Sequence, residues 1–125
     1  MSEQKRKIKV YFDGNKTPQG TSCSYVLIDE KTGKQKEETL KLPVETTVPE
    51  AEYYGLINAL KAIKKKEGVE LDVFGDSELI VKQVTGEWEC KKPELRLLRS
   101  EARNLLNSFE KWQIKWVPRE ENKAR

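Results

Sequence analysis

Apolar and polar residues alternate from Ile8 to Asp13, placing Ile8, Val10 and Phe12 on one face and Tyr11 with Asp13 on the other, as in a strand ending at Asp13. Ser22 to Asp29 continues as a second strand, and the turn-forming stretch Glu30 to Lys34 leads into a third, Gln35 to Leu42. The chain therefore opens as an antiparallel meander. The period then changes. Pro49 suits a helical first turn, Thr46 and Thr47 offer caps, and the pattern predicts a helix to about Glu67, ended by Gly68. Glu70 to Phe74 reads as a short apolar strand, followed by a helix-compatible segment from Ser77 to Val84. Pro93 opens a third helical stretch, with Leu95, Leu98, Ala102, Leu105 and Leu106 on one stripe, and Gln113 to Val117 reads as the last strand. Strands joined through helices favour parallel pairing with right-handed crossovers. The expected fold is α/β: three antiparallel strands, then β-α-β-α-β, forming a mixed five-stranded sheet with helices packed on it. The first, fourth and fifth strands are expected to run parallel in its centre.

Nothing along the 125 residues marks an internal repeat, a Gly/Ser linker or a low-complexity tract, so residues 1–125 read as one domain, long enough for a core of ordinary size. No run of about 18 apolar residues is present, so no membrane span is expected, and the charged start MSEQKRKIKV lacks the pattern of a signal peptide. A cytoplasmic location is the expectation, and no obligate protein partner is evident. The two cysteines, Cys23 and Cys90, are too few for a disulfide framework. With no histidine in the chain, a Cys/His zinc site lacks ligands. A metal here would be held mainly by oxygen, which points to magnesium or manganese. The net charge of +3 is compatible with a nucleic-acid partner without requiring one. Basic residues cluster as Lys5 to Lys7, Lys64 to Lys66, and Lys91, Lys92, Arg96, Arg99 and Arg103; a solvated face is the plain reading of each run.

Three carboxylates stand out by position. If the first and fourth strands are parallel neighbours, Asp13 and Asp76 emerge at the same carboxyl edge of the sheet, where open α/β sheets bind ligands. Each also has a plain explanation: Asp13-Gly14 is a common turn, and Asp76-Ser77 a common helix start. Glu52 is different. It shares a helical stripe with Leu56, Ala59 and Ile63, so it begins the apolar face of its helix. A favourable helix dipole explains an acid in the first turn but not one pointing inward. Three such carboxylates repel one another unless a cation sits between them, and a hard divalent ion there makes a site for phosphoryl chemistry.

The segments KVYFDGN (Lys9–Asn15), EAEYYGLINAL (Glu50–Leu60), VFGDSELIVKQVTGEW (Val73–Trp88) and WVPREEN (Trp116–Asn122) resemble four successive blocks of the ribonuclease H family. The similarity is closest to its short prokaryotic type 1 and reverse transcriptase-like members, and it runs from about Lys7 to the end. The resemblance implies a ribonuclease H-like fold and a metal-dependent endonuclease that hydrolyses the RNA strand of RNA/DNA hybrids by a two-metal mechanism. It implies Asp13, Glu52 and Asp76 as catalytic metal ligands for two Mg2+ ions, with Mn2+ as a substitute. A fourth aspartate is implied about four residues after Asn122, one position past Arg125. It further implies substrate contacts from the backbone of Gly14 and from Asn15, Ser77, Gln83, Arg119 and Asn122, and it places Gly14 and Glu52 near the RNA 2′-hydroxyls.

Three departures from the family pattern carry expectations. Without the fourth carboxylate, residues 1–125 are expected to bind metal more weakly and to cleave slowly or with a preference for manganese. Val48-Pro49 stands where many relatives carry two asparagines that touch the nucleic-acid backbone. The histidine that many members carry before the last metal ligand is absent, leaving Arg119 as the nearest charged group. The basic handle of some relatives is also missing, because Lys91 to Arg103 is too rich in Leu and Glu. Among the aromatics, Trp112 and Trp116 share a strand face and read as core or edge packing, whereas Trp88 reads as a surface contact able to stack on a base or sugar. Two other readings compete with the nuclease: a non-catalytic nucleic-acid-binding module, and a structural domain of a larger polypeptide. Retention of three mutually repelling carboxylates favours the enzyme.

Overall fold

The computed structural model describes residues 6–125, so Lys5 of the first basic run lies outside the described residues. Five strands, β1 (Arg6–Thr17), β2 (Gly20–Asp29), β3 (Gln35–Leu42), β4 (Val69–Gly75) and β5 (Lys111–Trp116), form one sheet in the order β3-β2-β1-β4-β5. The meander β1-β2-β3 is antiparallel, and β1 pairs parallel with β4, which pairs parallel with β5. The mixed five-stranded sheet expected from the pattern is present. One detail differs: β5 is an edge strand and β1 is the middle one. Among the six residues of β5 only Ile114 is buried, which fits an edge and not a centre. None of the helices among the described residues is long and apolar enough to cross a membrane.

Helix α1 (Val48–Ala62) starts on a complete capping box: the Thr47 side chain accepts from the Glu50 amide, and the Glu50 carboxylate accepts from the Thr47 amide. It stops at Ala62, short of the Glu67 that the pattern predicts. Ile63 adopts an extended conformation and is 6% exposed, so its burial in the core draws the chain out of the helix. Helix α2 (Glu78–Thr85) is capped by Ser77, whose hydroxyl accepts from the Ile80 amide at 3.3 Å, and it ends on Gly86 in the left-handed conformation, φ 91°. Helix α3 (Pro93–Leu106) buries Leu95, Ala102 and Leu106 of its predicted stripe, while Leu98 and Leu105 pack at the margin.

The main core lies between one face of the sheet and the helices. Ile8, Val10 and Phe12 of β1 meet Leu56 and Leu60 of α1, with Leu71 and Val73 of β4 beside them. Tyr11 points to the other face, as its parity requires. There it stacks on Phe74 with ring centroids 5.1 Å apart and packs with Val26 and Ala124.

β1 does not end at Asp13. It continues to Thr17 because its hairpin with β2 stays in register through Gly14↔Cys23 and on to Thr17↔Gly20. Gly14 is therefore a strand residue and not half of a turn. Its lack of a side chain serves a close approach: a Cβ there would collide with the backbone of Ala51 and Glu52 in α1. From the helix side, a Cβ on Gly55 would lie 2.7 Å from the Asp13 carbonyl and 3.1 Å from that of Ser24. These two glycines let α1 cross β1 and β2 backbone to backbone.

The basic runs are not all solvated faces. Arg6 pairs with Asp29 at 2.9 Å and Lys7 with Asp72 at 3.7 Å. In α3, Arg99 donates to the Gln83 carbonyl and Arg103 to the Val84 carbonyl, both at 2.6 Å, so two arginines close the C-terminal end of α2. Arg96 donates to the Cys90 carbonyl at 2.7 Å.

Because the Gly55 contact is with main-chain atoms that cannot rotate away, Gly55→Ala is expected to destabilise the fold by about 1–3 kcal/mol despite alanine's better helix propensity. Urea unfolding followed by circular dichroism measures this; a stabilised variant would contradict the close crossing.

Candidate active site

Asp13 lies on the central strand, opposite Ser24 of β2, and Asp76 directly follows Gly75, which pairs with Phe12. Parallel pairing of β1 with β4 thus sets the two aspartates side by side at one edge. Glu52 reaches the same place from the first turns of α1, which cross over Gly14. One carboxylate oxygen from each of Asp13, Glu52 and Asp76 lies within 4.8 Å of the others. Asp13 is 4% exposed, and the other two are partly buried.

The electrostatics are those of negative charge withheld from water. Burial pushes Asp13 up to about 6, the charge of Asp76 adds to the rise, and Arg119 and the Gly14 amide oppose it. Burial likewise pushes Glu52 up to about 7; a hydrogen bond from Ser77 works against the rise, and the charges of Asp13 and Asp76 add to it. Ser77 thus both starts α2 and steadies Glu52. Among the described residues the Oδ2 of Asp76 is buried without a hydrogen bond, and the exposed Arg119 forms an ion pair with it at 3.7 Å. An orphaned carboxylate oxygen, three converging acids and a donor set made only of oxygen fit a hard divalent cation. Nitrogen or sulfur ligands for a softer metal are not part of the cluster.

Among the other residues singled out from sequence, Gly14 is half-buried, and Asn15 is exposed on the extension of β1. Gln83 and Asn122 are both buried, with their side chains turned inward. Gln83 is 4% exposed and accepts a hydrogen bond from the Tyr53 hydroxyl at 2.8 Å, joining α1 to α2. Asn122 is 2% exposed, donates to the Phe12 carbonyl at 3.0 Å and accepts from the Ala124 amide. With Ser24 donating to the Ala124 carbonyl at 2.7 Å, Asn122 holds the C-terminal segment against β1 and β2 beside Asp13. Trp112 packs at the margin of the core, as its face implied. Trp116 is 51% exposed, and its indole donates to the Asp76 carbonyl at 3.1 Å, a support for the site that the pattern of β5 did not disclose. Gly55 was also missed, although a glycine inside a strong helical pattern costs about 1 kcal/mol and so signals a close approach.

The family model described as reverse transcriptase-like matches residues 11–124, nearly the whole chain. The crystal structure of RNase H1 from the halophilic archaeon Halobacterium salinarum NRC-1 superposes with a TM-score of 0.74 at 32% identity, over 94% of this chain and 89% of that one. The chain belongs to the ribonuclease H family. Ribonuclease HI of Halobacterium salinarum is 36% identical over 120 residues, 93% of this chain and 59% of the relative, so this ribonuclease H-like chain spans little more than half of that protein's length. LC11-RNase H1, solved in complex with an RNA/DNA hybrid, superposes with a TM-score of 0.78 at 27% identity, over 93% of this chain and 88% of that one.

The raised carboxylates fix a pH dependence for the metal-free protein. Between about pH 4 and about pH 7 the folded state holds protons on Asp13 and Glu52 that the unfolded chain has released. Their contribution to stability therefore falls as pH rises through that window and levels off above it. Relative to Glu52→Gln in chelator, the wild type is expected to lose on the order of 1–3 kcal/mol from pH 4.5 to 8. Urea unfolding at stepped pH checks this, and a parallel pair of pH profiles would refute the buried cluster.

Proposed function

We propose that this chain hydrolyses the RNA strand of RNA/DNA hybrids, with Asp13, Glu52 and Asp76 holding magnesium at the carboxyl edge of the sheet. The observation that carries this reading is the convergence of the three carboxylates within 4.8 Å, around a buried acceptor of Asp76 that receives no hydrogen bond from the described residues. Two divalent ions bound there would neutralise the cluster, activate water and stabilise charge on the phosphate, with manganese as a substitute.

The chain's own residues do the positioning. Asp13, fixed on the middle strand, and Asp76, tied down through its carbonyl by Trp116, form a stiff pair of donors. Ser77 orients the Glu52 carboxylate. Glu52 and the backbone at Gly14 lie together where an RNA 2′-hydroxyl could meet them, which is the group that separates RNA from DNA. Asn15 is exposed next to them for a backbone contact. Arg119, 63% exposed and close to Asp76, suits a role toward the scissile phosphate where many relatives carry a histidine. Trp88 is 43% exposed with the Lys82 ammonium 5.5 Å from its ring, a surface on which a base or sugar can stack beside a phosphate-binding charge. The reaction breaks the bond between phosphorus and the 3′ oxygen, leaving a 5′ phosphate and a 3′ hydroxyl. The inward-facing Gln83 and Asn122 serve this site by holding α2 and the C-terminal segment in place. A cytoplasmic setting, with the hybrid as partner, belongs to the same proposal.

Asp13→Asn keeps the shape of the side chain and removes its charge. Cleavage of a labelled hybrid is expected to fall at least about 100-fold, since even indirect supports of a metal cost 10–100-fold when lost. Hybrid binding, measured by fluorescence anisotropy in calcium, is expected to stay within a few-fold of the wild type. Undiminished cleavage would remove Asp13 from the chemistry, and absence of cleavage by the wild type in both magnesium and manganese would favour a binding module instead.

A further inference from the structure

The sheet ends on two edge strands that differ in what they offer a further strand. β5 has six residues, and its charges, Lys111 and Lys115, are of one sign. β3 has eight residues, paired to β2 without a break from Thr21↔Leu42 to Ile28↔Gln35. Its outer side therefore presents a regular row of backbone amides and carbonyls that no strand among the described residues pairs. No proline or glycine interrupts it, and all its side chains are exposed except Leu40 and Leu42, which are half-buried.

Charge usually guards such an edge against stray strands, and here the charges carry an order of their own. Glu37, Thr39 and Lys41 lie on the open face of the sheet, where Glu37 is opposite Val26, which packs with Tyr11. Glu38 and Leu40 lie on the helix side, where Leu40 packs on the main core and Glu38 accepts from the Tyr25 hydroxyl at 2.5 Å. Two copies joined edge to edge by a two-fold axis normal to the sheet keep like faces together. One residue of β3 then faces its own copy. With Lys36, Glu37, Glu38 or Lys41 on the axis, two identical charges oppose each other. With Leu40 on it, no acid faces a base. With Thr39 on it, Glu37 of each copy faces Lys41 of the other, threonine faces threonine, and Lys36 to Leu42 is paired over roughly 24 Å.

We propose that β3 is a self-association edge, pairing antiparallel with β3 of a second copy of this chain about Thr39. Two opposite-charge pairs and the threonine pair set the register, and backbone hydrogen bonds along the edge hold it. The charges are available for this. Among the described residues Lys41 forms no salt bridge, and Glu37 is held only by the Gln35 side chain at 3.4 Å. An unrelated strand has no reason to carry this charge order, whereas a second copy carries it by identity. Because α1 crosses β1 and β2, the helix layer stands back from the edge. The axis sends the two carboxylate sites to opposite ends of the joined sheet, and the inference does not depend on the proposed nuclease activity.

Sedimentation equilibrium of the whole chain is expected to show a monomer–dimer equilibrium with a dissociation constant roughly between 10 µM and 1 mM, as a narrow edge contact implies. Lys41→Glu sets an acid against Glu37 on both sides of the axis, and Glu37→Lys sets a base against Lys41. Each variant alone is expected to dimerise at least about tenfold more weakly. An equimolar mixture of the two restores both opposite-charge pairs and is expected to regain wild-type association. Both positions are exposed, so neither change touches the core. In the wild-type protein, amide shifts that depend on concentration are expected to cluster at residues 35–42. A chain that stays monomeric at about 1 mM overturns the proposal. Single variants that dimerise as well as the wild type overturn it too, as does a mixture that stays monomeric. Shifts that cluster on another element assign the contact elsewhere and overturn it as well.

Discussion

A helix can bring a side chain to the end of a strand only as closely as the two backbones allow. In this fold α1 crosses β1 and β2 in direct main-chain contact, with Gly14 on the strand and Gly55 on the helix removing the two Cβ atoms that would hold them apart. That crossing sets the depth at which Glu52 enters the site and brings it beside Asp13. The capping box at Thr47 and Glu50 fixes where the helix begins, and the burial of Leu56 and Leu60 fixes which way it faces. The glycines weaken local propensity, and the packing of the helix on the sheet compensates.

What the crossing creates is an electrostatic conflict that the chain's own residues resolve only in part. Asp13 and Glu52 are both raised by burial and by neighbouring negative charge, and Asp76 keeps a buried oxygen without a hydrogen bond from any described residue. Arg119, Ser77 and the Gly14 amide each relieve a fraction of the strain. A polypeptide could have removed the conflict more simply by placing an amide at one of these positions. The cluster keeps the conflict, and a donor set made only of oxygen fits it to a hard divalent cation.

The remaining supports act at a distance from the carboxylates. Helix α2, which begins at Ser77, is held at its other end by Arg99 and Arg103, and from beneath by the Tyr53–Gln83 hydrogen bond. Trp116 and Asn122 fasten the last strand and the C-terminal segment to the edge of the sheet. Polar residues that look like substrate contacts when read one at a time are here the bolts of the scaffold.

Alternating apolar residues and capping signals were enough to determine the strand and helix order, the parallel core of β1 and β4, and the meeting of Asp13 and Asp76 at one edge, because these follow from periodicity and connection rules. The inward direction of Glu52 was legible for the same reason: its stripe is shared with Leu56 and Ala59. Long-range contacts decided the rest. Asp13-Gly14 has the chemistry of a turn, and only pairing with Cys23 and Ser24 keeps it in a strand. Lys64 to Lys66 could extend a helix, and only the burial of Ile63 ends it. Gln83, Asn122, Arg99 and Arg103 carry no mark in the sequence that tells a scaffold hydrogen bond from a surface one. The partner that each holds on another element lies 16 or more residues away, and a partner that distant is visible only once the chain has folded.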